Sequence, residues 1–188
     1  MPDLHISGDA EADALISRDP LALLLAMLLD QQIPMEKAFR GPYDLLGRIG
    51  KLDAVEIAEH PDLGTVFATP PAIHRFPGSM AGRVQDMCRF LVEHHGGKAD
   101  NVWNGVKTGD ELLARLKALP GFGEQKAKIF LALLGKRLNV QPTGWREAAG
   151  LYGEQGAFRS VADVTSKETL LQVRAYKQQQ KAALKSKT

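Results

Sequence analysis

Apolar residues recur along this chain at helical spacing, and the stretches between them read as turns. Leu21 to Leu29 is apolar on almost every face, the mark of a helix enclosed on all sides, with Asp19 as its N-cap and Pro20 at its first position. Residues 37–50 read as a helix, a break at Gly41-Pro42, and a second helix stopped by Gly50. A short amphipathic piece follows in "LDAVEIAEH". A proline-rich loop with one turn of helix then carries Pro70, Pro71 and Pro77. Val84, Met87, Cys88, Leu91 and Val92 make one face of a strong helix that ends at Gly96-Gly97. Thr108 and Glu111 form a capping-box pattern opening "TGDELLARLKAL", and Thr165 and Glu168 form another opening the last, lysine-rich helix. Between these lie "EQKAKIFLALLGKRL", read as a helix ending near Gly135, and a short helix in "GWREAAGLYG". No alternating pattern of strand length occurs, and the fold class expected is all-α.

Composition narrows the function. Of 188 residues, 44% are hydrophobic and 24% charged, a globular balance. No apolar run is long enough to cross a membrane, and the acidic N-terminal stretch lacks a signal-peptide pattern. Cys88 is the single cysteine, which rules out an internal disulfide, a four-cysteine zinc site and a cysteine-ligated iron–sulfur cluster. A reducing, cytoplasmic location is the expectation. The net charge of +2 hides an asymmetry: residues 1–100 carry nine Lys and Arg against fifteen Asp and Glu, residues 101–188 fifteen against seven. The basic half suits a polyanion, or serves as a solvated helical face.

The string "ALPGFGEQKAKIF", residues 118–130, carries the chemistry. Gly121 and Gly123 permit a sharp turn and close approach of a ligand. The next helix then begins with unsatisfied N–H groups and a positive dipole end, a ready anion site. Lys126 and Lys128 follow and would add attraction to a phosphate backbone. A plain helix–helix turn is the simpler reading of the two glycines alone; the whole string favours phosphate.

These residues resemble the helix-hairpin-helix of the HhH-GPD superfamily of base-excision DNA glycosylases, relatives of endonuclease III, the adenine-mismatch glycosylase and the 3-methyladenine glycosylases. The match rests on Leu119, Pro120, Gly121, Phe122, Gly123 and Ala127. "MLLDQQIP" is similar to the family's glutamine segment near the extruded base, "MAGRVQDMCRFL" to the helix before the hairpin, and "GWREAAG" to the helix after the catalytic aspartate. The resemblance spans about residues 19–185. It implies a two-lobed, cluster-free fold: an arm at 1–18 packed on the C-terminal lobe, a helical lobe at 19–119, and the hairpin's second helix with the C-terminal helices at 120–188. It implies a nucleoid-associated monomer on double-stranded DNA, with Gln31, Gln32, Gly121, Phe122, Gly123, Gln125, Lys126, Lys128, Trp145 and Arg146 as contacts. A sodium or potassium ion would sit on the carbonyls of Lys117, Leu119 and Phe122; no other cofactor is implied.

The sequence departs from the family at two positions. The lyase lysine belongs at Gln125, and Lys126 lies one residue on, about 100° around a helix, so the usual Schiff-base chemistry is not expected. With Arg146 as anchor, the catalytic aspartate belongs at Gln141, and glutamine neither takes a proton from water nor carries charge. Asp30, beside Gln31-Gln32 in an apolar run, is the candidate substitute, with a carboxyl pKa raised by burial; its simpler role is a helix end. Glu147 reads first as a surface charge. Trp103 reads as core and Trp145 as core or stacking platform. His94-His95 point apart and form no metal pair. Lys177, Lys181, Lys185 and Lys187 read as an electrostatic aid or a solvated face. The function expected is a monofunctional DNA glycosylase using Asp30, with contacts from Gln141. The alternative is a glycosylase-like protein that binds lesions without cutting. A helical domain for small molecules or proteins fits the turn least.

Overall fold

The chain folds, in a computed structural model that describes residues 3–187, as an all-α protein. Residues 1, 2 and 188, the outer ends of the expected first and last segments, lie outside the described residues. Ten α-helices follow in order: α1 (Ala10–Arg18), α2 (Pro20–Leu29), α3 (Met35–Ile49), α4 (Ala54–Ala58), α5 (Leu63–Ala68), α6 (Pro77–His95), α7 (Gly109–Lys117), α8 (Glu124–Arg137), α9 (Trp145–Ala149) and α10 (Lys167–Lys185). Short 3-10 turns stand at 99–102, 150–153 and 161–163. Among the described residues the only β-pairing is an isolated bridge between Thr108 and Thr143. Among the described residues no helix is long and apolar enough to cross a membrane.

α2 is the centre. Every residue from Leu21 to Leu29 is buried, as its unbroken apolar sequence requires. It packs on α1, α3 and α6 and on the 99–102 turn. α4 and α5 lie along α6. α7, α8 and α9 pack on one another, and the 161–163 turn ties α10 to α8. The molecule therefore has two groups of helices, and α2 reaches both: a Cβ added to Gly121, in the α7–α8 turn, would stand 2.8 Å from Leu28 Cδ1.

Several sequence expectations are corrected. α1, the helical part of the expected N-terminal arm, packs chiefly on α2 and α3. Asp19 is at once the C-cap of α1 and the N-cap of α2, so one residue of connection keeps α1 beside its neighbour. Gly41-Pro42 does not break α3, which runs through both. Gly41 faces α2, where a Cβ would meet Leu29 Cδ1 at 2.6 Å, so helix contact overrides the local signal. Gly135 does not end α8, which continues to Arg137. The ring of Trp145 occupies the place of the missing Cβ, with Cε3 at 2.3 Å from that position. α10 starts at a capping box of Ser166 and Thr169, one residue later than Thr165.

Candidate nucleic-acid interface

The C-terminal end of α2 presents backbone carbonyls that no further turn of helix can satisfy. Side chains from three other segments meet them. The Leu28 carbonyl accepts from Lys126 Nζ and from Gln31 Nε2, each at 3.2 Å. The Leu29 carbonyl accepts the Gln31 N–H at 2.7 Å and lies 3.1 Å from His74 Nε2. The Phe76 N–H donates to His74 Nδ1 at 3.0 Å. That bond leaves the imidazole proton on Nε2, shared between the Leu29 and Gln31 carbonyls. His74 is buried, and burial holds its pKa below the ordinary histidine value, which suits this neutral tautomer.

Asp30 is the C-cap of α2, where the negative end of the helix dipole works against a carboxylate. Burial raises its pKa; Lys177 and Lys126 pull it back down. Burial in turn pushes the Lys126 ammonium down to about 8, against the pull of Asp30. Asp30 stands between two hollows and lines both. One, of about 780 Å³, also takes in Gln31, Gln32, Arg75 and Arg174. The other, of about 430 Å³, takes in Gln125, Lys126, Tyr152 and Tyr176. Lys177 and Lys181 of α10 border both.

The hairpin turn adjoins this cleft. The Phe122 N–H donates to the Leu119 carbonyl at 3.1 Å. Pro120 and Gly121 occupy the central positions, with Gly121 at φ +82°, the arrangement of a type II turn. Gly123 is extended at φ −81°, ψ −179°, and a Cβ there would meet nothing within 4 Å. It is open space, not backbone strain, that distinguishes Gly123. No side chain caps α8, as is also true of α3, α6 and α9; unlike them α8 follows the hairpin turn, and its first residues, Gly123 to Gln125, are exposed. The first N–H groups of α8 are therefore left without a side-chain acceptor.

Other expected contacts lie differently. Phe122 is buried edge-on against Phe130, with centroids 6.0 Å apart, so only its backbone faces outward. Lys126 turns its amine in to α2, 5.8 Å from the Phe122 ring centroid, and not out along the hairpin. Lys128 pairs with Glu124 at 3.5 Å. Gln125 lines the cleft and donates to the Tyr152 hydroxyl at 3.0 Å. Gln31 is tied at both ends, its Oε1 accepting from Arg83 at 3.0 Å, which leaves Gln32, exposed at φ +58°, as the freer amide. Trp145 is buried on Gly135 and is no stacking platform. Arg146 lies over that indole at 4.4 Å and donates to the Gly153 carbonyl. Gln141 donates to the Gly135 carbonyl at 2.9 Å and lines a separate hollow at the far end of α8. The two candidate catalytic residues, Asp30 and Gln141, are not brought together.

The carbonyls expected to hold a monovalent cation are those of Lys117, Leu119 and Phe122. Among the described residues those of Lys117 and Phe122 accept no backbone N–H, while that of Leu119 already accepts one. The Lys117 carbonyl also closes α7, at the negative end of its dipole.

Sequence reasoning missed His74, Arg75, Phe76, Tyr152 and Tyr176. Phe76 is 43% exposed beside the cleft with the Arg75 guanidinium 5.3 Å from its ring centroid. The signal was present in "HRFPG", an aromatic next to a cation just before a helix-starting proline. Tyr176 gave none, because a charged terminal helix looks solvated until its packing is known. Comparison of the chain with protein-family models, curated proteins and solved structures gives no match.

Proposed function

We propose that the protein is a DNA-binding base-excision repair protein of HhH-GPD type, a monofunctional glycosylase that extrudes a damaged base and hydrolyses its N-glycosidic bond. One observation carries the reading: a half-buried carboxylate, Asp30, and a half-buried amine, Lys126, face each other in a cleft flanked by an uncapped helix start and by cations of α10. A duplex phosphate would sit on the N–H groups of Gly123 and the first turn of α8. Lys177, Lys181 and Arg75 would follow the strand, and Phe76 would fill the gap left by the extruded base.

Hydrolysis adds water across the bond between sugar and base. Asp30 would hold the water and offset positive charge on the sugar as the bond to the base breaks. The base leaves with the electron pair of that bond, and the Lys126 ammonium supplies the charge and the proton donor beside it. The water's oxygen ends on the sugar; Asp30 takes one of the water's protons, Lys126 gives one to the departing base, and exchange with solvent restores both groups.

The second reading is a protein that binds lesions without cutting. It is favoured by Gln141, an amide where the resemblance places an aspartate, held away from Asp30. Single-turnover base release separates the two readings. The substrates are duplexes carrying uracil, hydroxymethyluracil, hypoxanthine, alkylated purines, 8-oxoguanine or mismatched adenine. Release of one base, abolished in Asp30→Asn with duplex binding intact, is the expected result. Salt-dependent binding with no release from any duplex would establish the second reading in its place.

A further inference from the structure

At the far end of α8 is a hollow of about 340 Å³ that the proposed glycosylase chemistry does not use. Lys136, Arg137 and Arg146 line it, against one carboxylate, Asp163. That carboxylate is already satisfied. Its Oδ1 accepts Lys136 Nζ at 2.6 Å, and its Oδ2 accepts the N–H groups of Arg159 at 2.9 Å and Ser160 at 3.3 Å. Asp163 also attracts Arg137, but one carboxylate among three cations leaves the lining with an excess of two positive charges.

Arg137 is the more telling of the two. Its Nε donates to the Ala162 carbonyl at 3.2 Å, which fixes the plane of the guanidinium. Among the described residues neither of its Nη atoms has a hydrogen-bond partner, so four of its five N–H donors face the hollow or water. Burial lowers its pKa, which means that the group is partly desolvated without a full set of partners. Arg146 is held by the Trp145 ring beneath it and by the Gly153 carbonyl, so it too is fixed before any ligand arrives. Two fixed guanidinium groups, neither hydrogen-bonded to a carboxylate, around one hollow with excess positive charge match a dianion better than a single carboxylate. At the rim Phe158 is 40% exposed and offers a flat apolar surface next to the charge.

We propose that this hollow binds a phosphate monoester attached to a planar ring, the chemistry of a nucleoside monophosphate or of a phosphorylated nucleotide end of DNA. Arg137 takes two phosphate oxygens through its Nη atoms, Arg146 a third, and Phe158 covers the ring. A phosphate monoester is largely dianionic at neutral pH, so both guanidinium charges are matched. The hollow is separate from the Asp30 cleft, and the inference stands whether or not that cleft cuts DNA.

Isothermal titration of the full chain tests it, with adenosine monophosphate, adenosine, inorganic phosphate, and short duplexes bearing a 5′-phosphate or a 5′-hydroxyl. The expected result is that the monophosphate binds and adenosine does not. Arg137→Gln and Arg146→Gln should each weaken binding at least about tenfold, and Arg89→Gln on α6 should leave it unchanged. If only the phosphorylated duplex gains affinity, and both arginines are needed for that gain, the monoester is a DNA end. Absence of any phosphate-dependent affinity overturns the proposal, as does affinity that survives both substitutions. Should Arg137→Gln fail to fold, Arg146→Gln decides alone, since its side chain makes one hydrogen bond, to the Gly153 carbonyl, and its contact with the Trp145 ring is at the surface of that helix.

Discussion

Replacing Lys126 with methionine should make the protein more stable, and the gain should depend on pH. The Lys126 ammonium is lowered from an ordinary 10.5 to about 8 by burial, with Asp30 only partly offsetting the cost. At ~1.4 kcal/mol for each pH unit, holding that charge in the fold costs about 3 kcal/mol. The sign follows from proton uptake. Below pH 8 the amine is protonated in folded and unfolded chains alike, and the full cost is present. Between 8 and 10.5 the folded chain has lost the proton and the unfolded chain has kept it, so wild-type stability climbs with pH. Methionine keeps the stem and removes the charge, at the loss of one hydrogen bond to the Leu28 carbonyl, worth about 1 kcal/mol. Lys126→Met should therefore exceed wild type by about 2–3 kcal/mol at pH 7. By pH 9.5 the charge part of the gap should shrink to about 1.4 kcal/mol. Urea unfolding of both proteins at the two pH values measures this. A variant less stable than wild type at pH 7, or a gap equal at both pH values, would refute the burial of a strained charge at this place. The same variant should lose base release, the trade of stability for activity seen where a site is held in an unfavourable state.

Two further substitutions test the hairpin and the core beneath it. Gly121→Ala puts a side chain at φ +82° and 2.8 Å from Leu28 Cδ1 and should cost about 1–2 kcal/mol in thermal unfolding. Gly123→Ala, at an ordinary φ with open space around it, should change stability by less than about 0.5 kcal/mol and yet weaken duplex binding. Unchanged affinity in a salt-controlled titration would remove the phosphate from this turn. Gly135→Ala drives a methyl to 2.3 Å from the Trp145 ring and should destabilise by about 3 kcal/mol or more, toward the upper end for overpacking; unfolding that matches wild type would show that the indole is free to move.

The sequence could be read wherever one local rule acted without a competitor. α2 announces its burial because nine of its ten residues have no tolerable exposed face. Asp19 marks the α1–α2 junction and Thr108 the start of α7, because a short acceptor at an extended position binds the next free N–H groups. Reading failed where a distant neighbour overrode the local rule. Gly41 and Gly135 look like helix stops in isolation; each is a dent cut for a side chain of another element, Leu29 and Trp145. No periodicity reports which partner a small residue will meet.

The same distinction runs through the candidate site and explains Lys126. Helical phase alone sends its amine away from the place a lysine at Gln125 would reach, and that holds for the Cα–Cβ direction. It omits the length of the side chain and what lies at its end. α2 stops at Leu29, leaving carbonyls that need donors, and Lys126 spans the gap to Leu28 beside Asp30. His74 and Gln31 meet the same need from other directions. A buried helix end must be satisfied, and the groups drawn in to satisfy it are here a carboxamide, an imidazole and an amine set around a carboxylate. The requirement to close α2 thus places ionisable side chains in a cleft, and lowering the Lys126 pKa to about 8 follows from that placement. The proposed hydrolysis would use a set of groups that the fold needs first for its own hydrogen bonding. That is why Lys126→Met, which leaves a Leu28 acceptor still served by Gln31, can separate the role of the charge from the role of the cap.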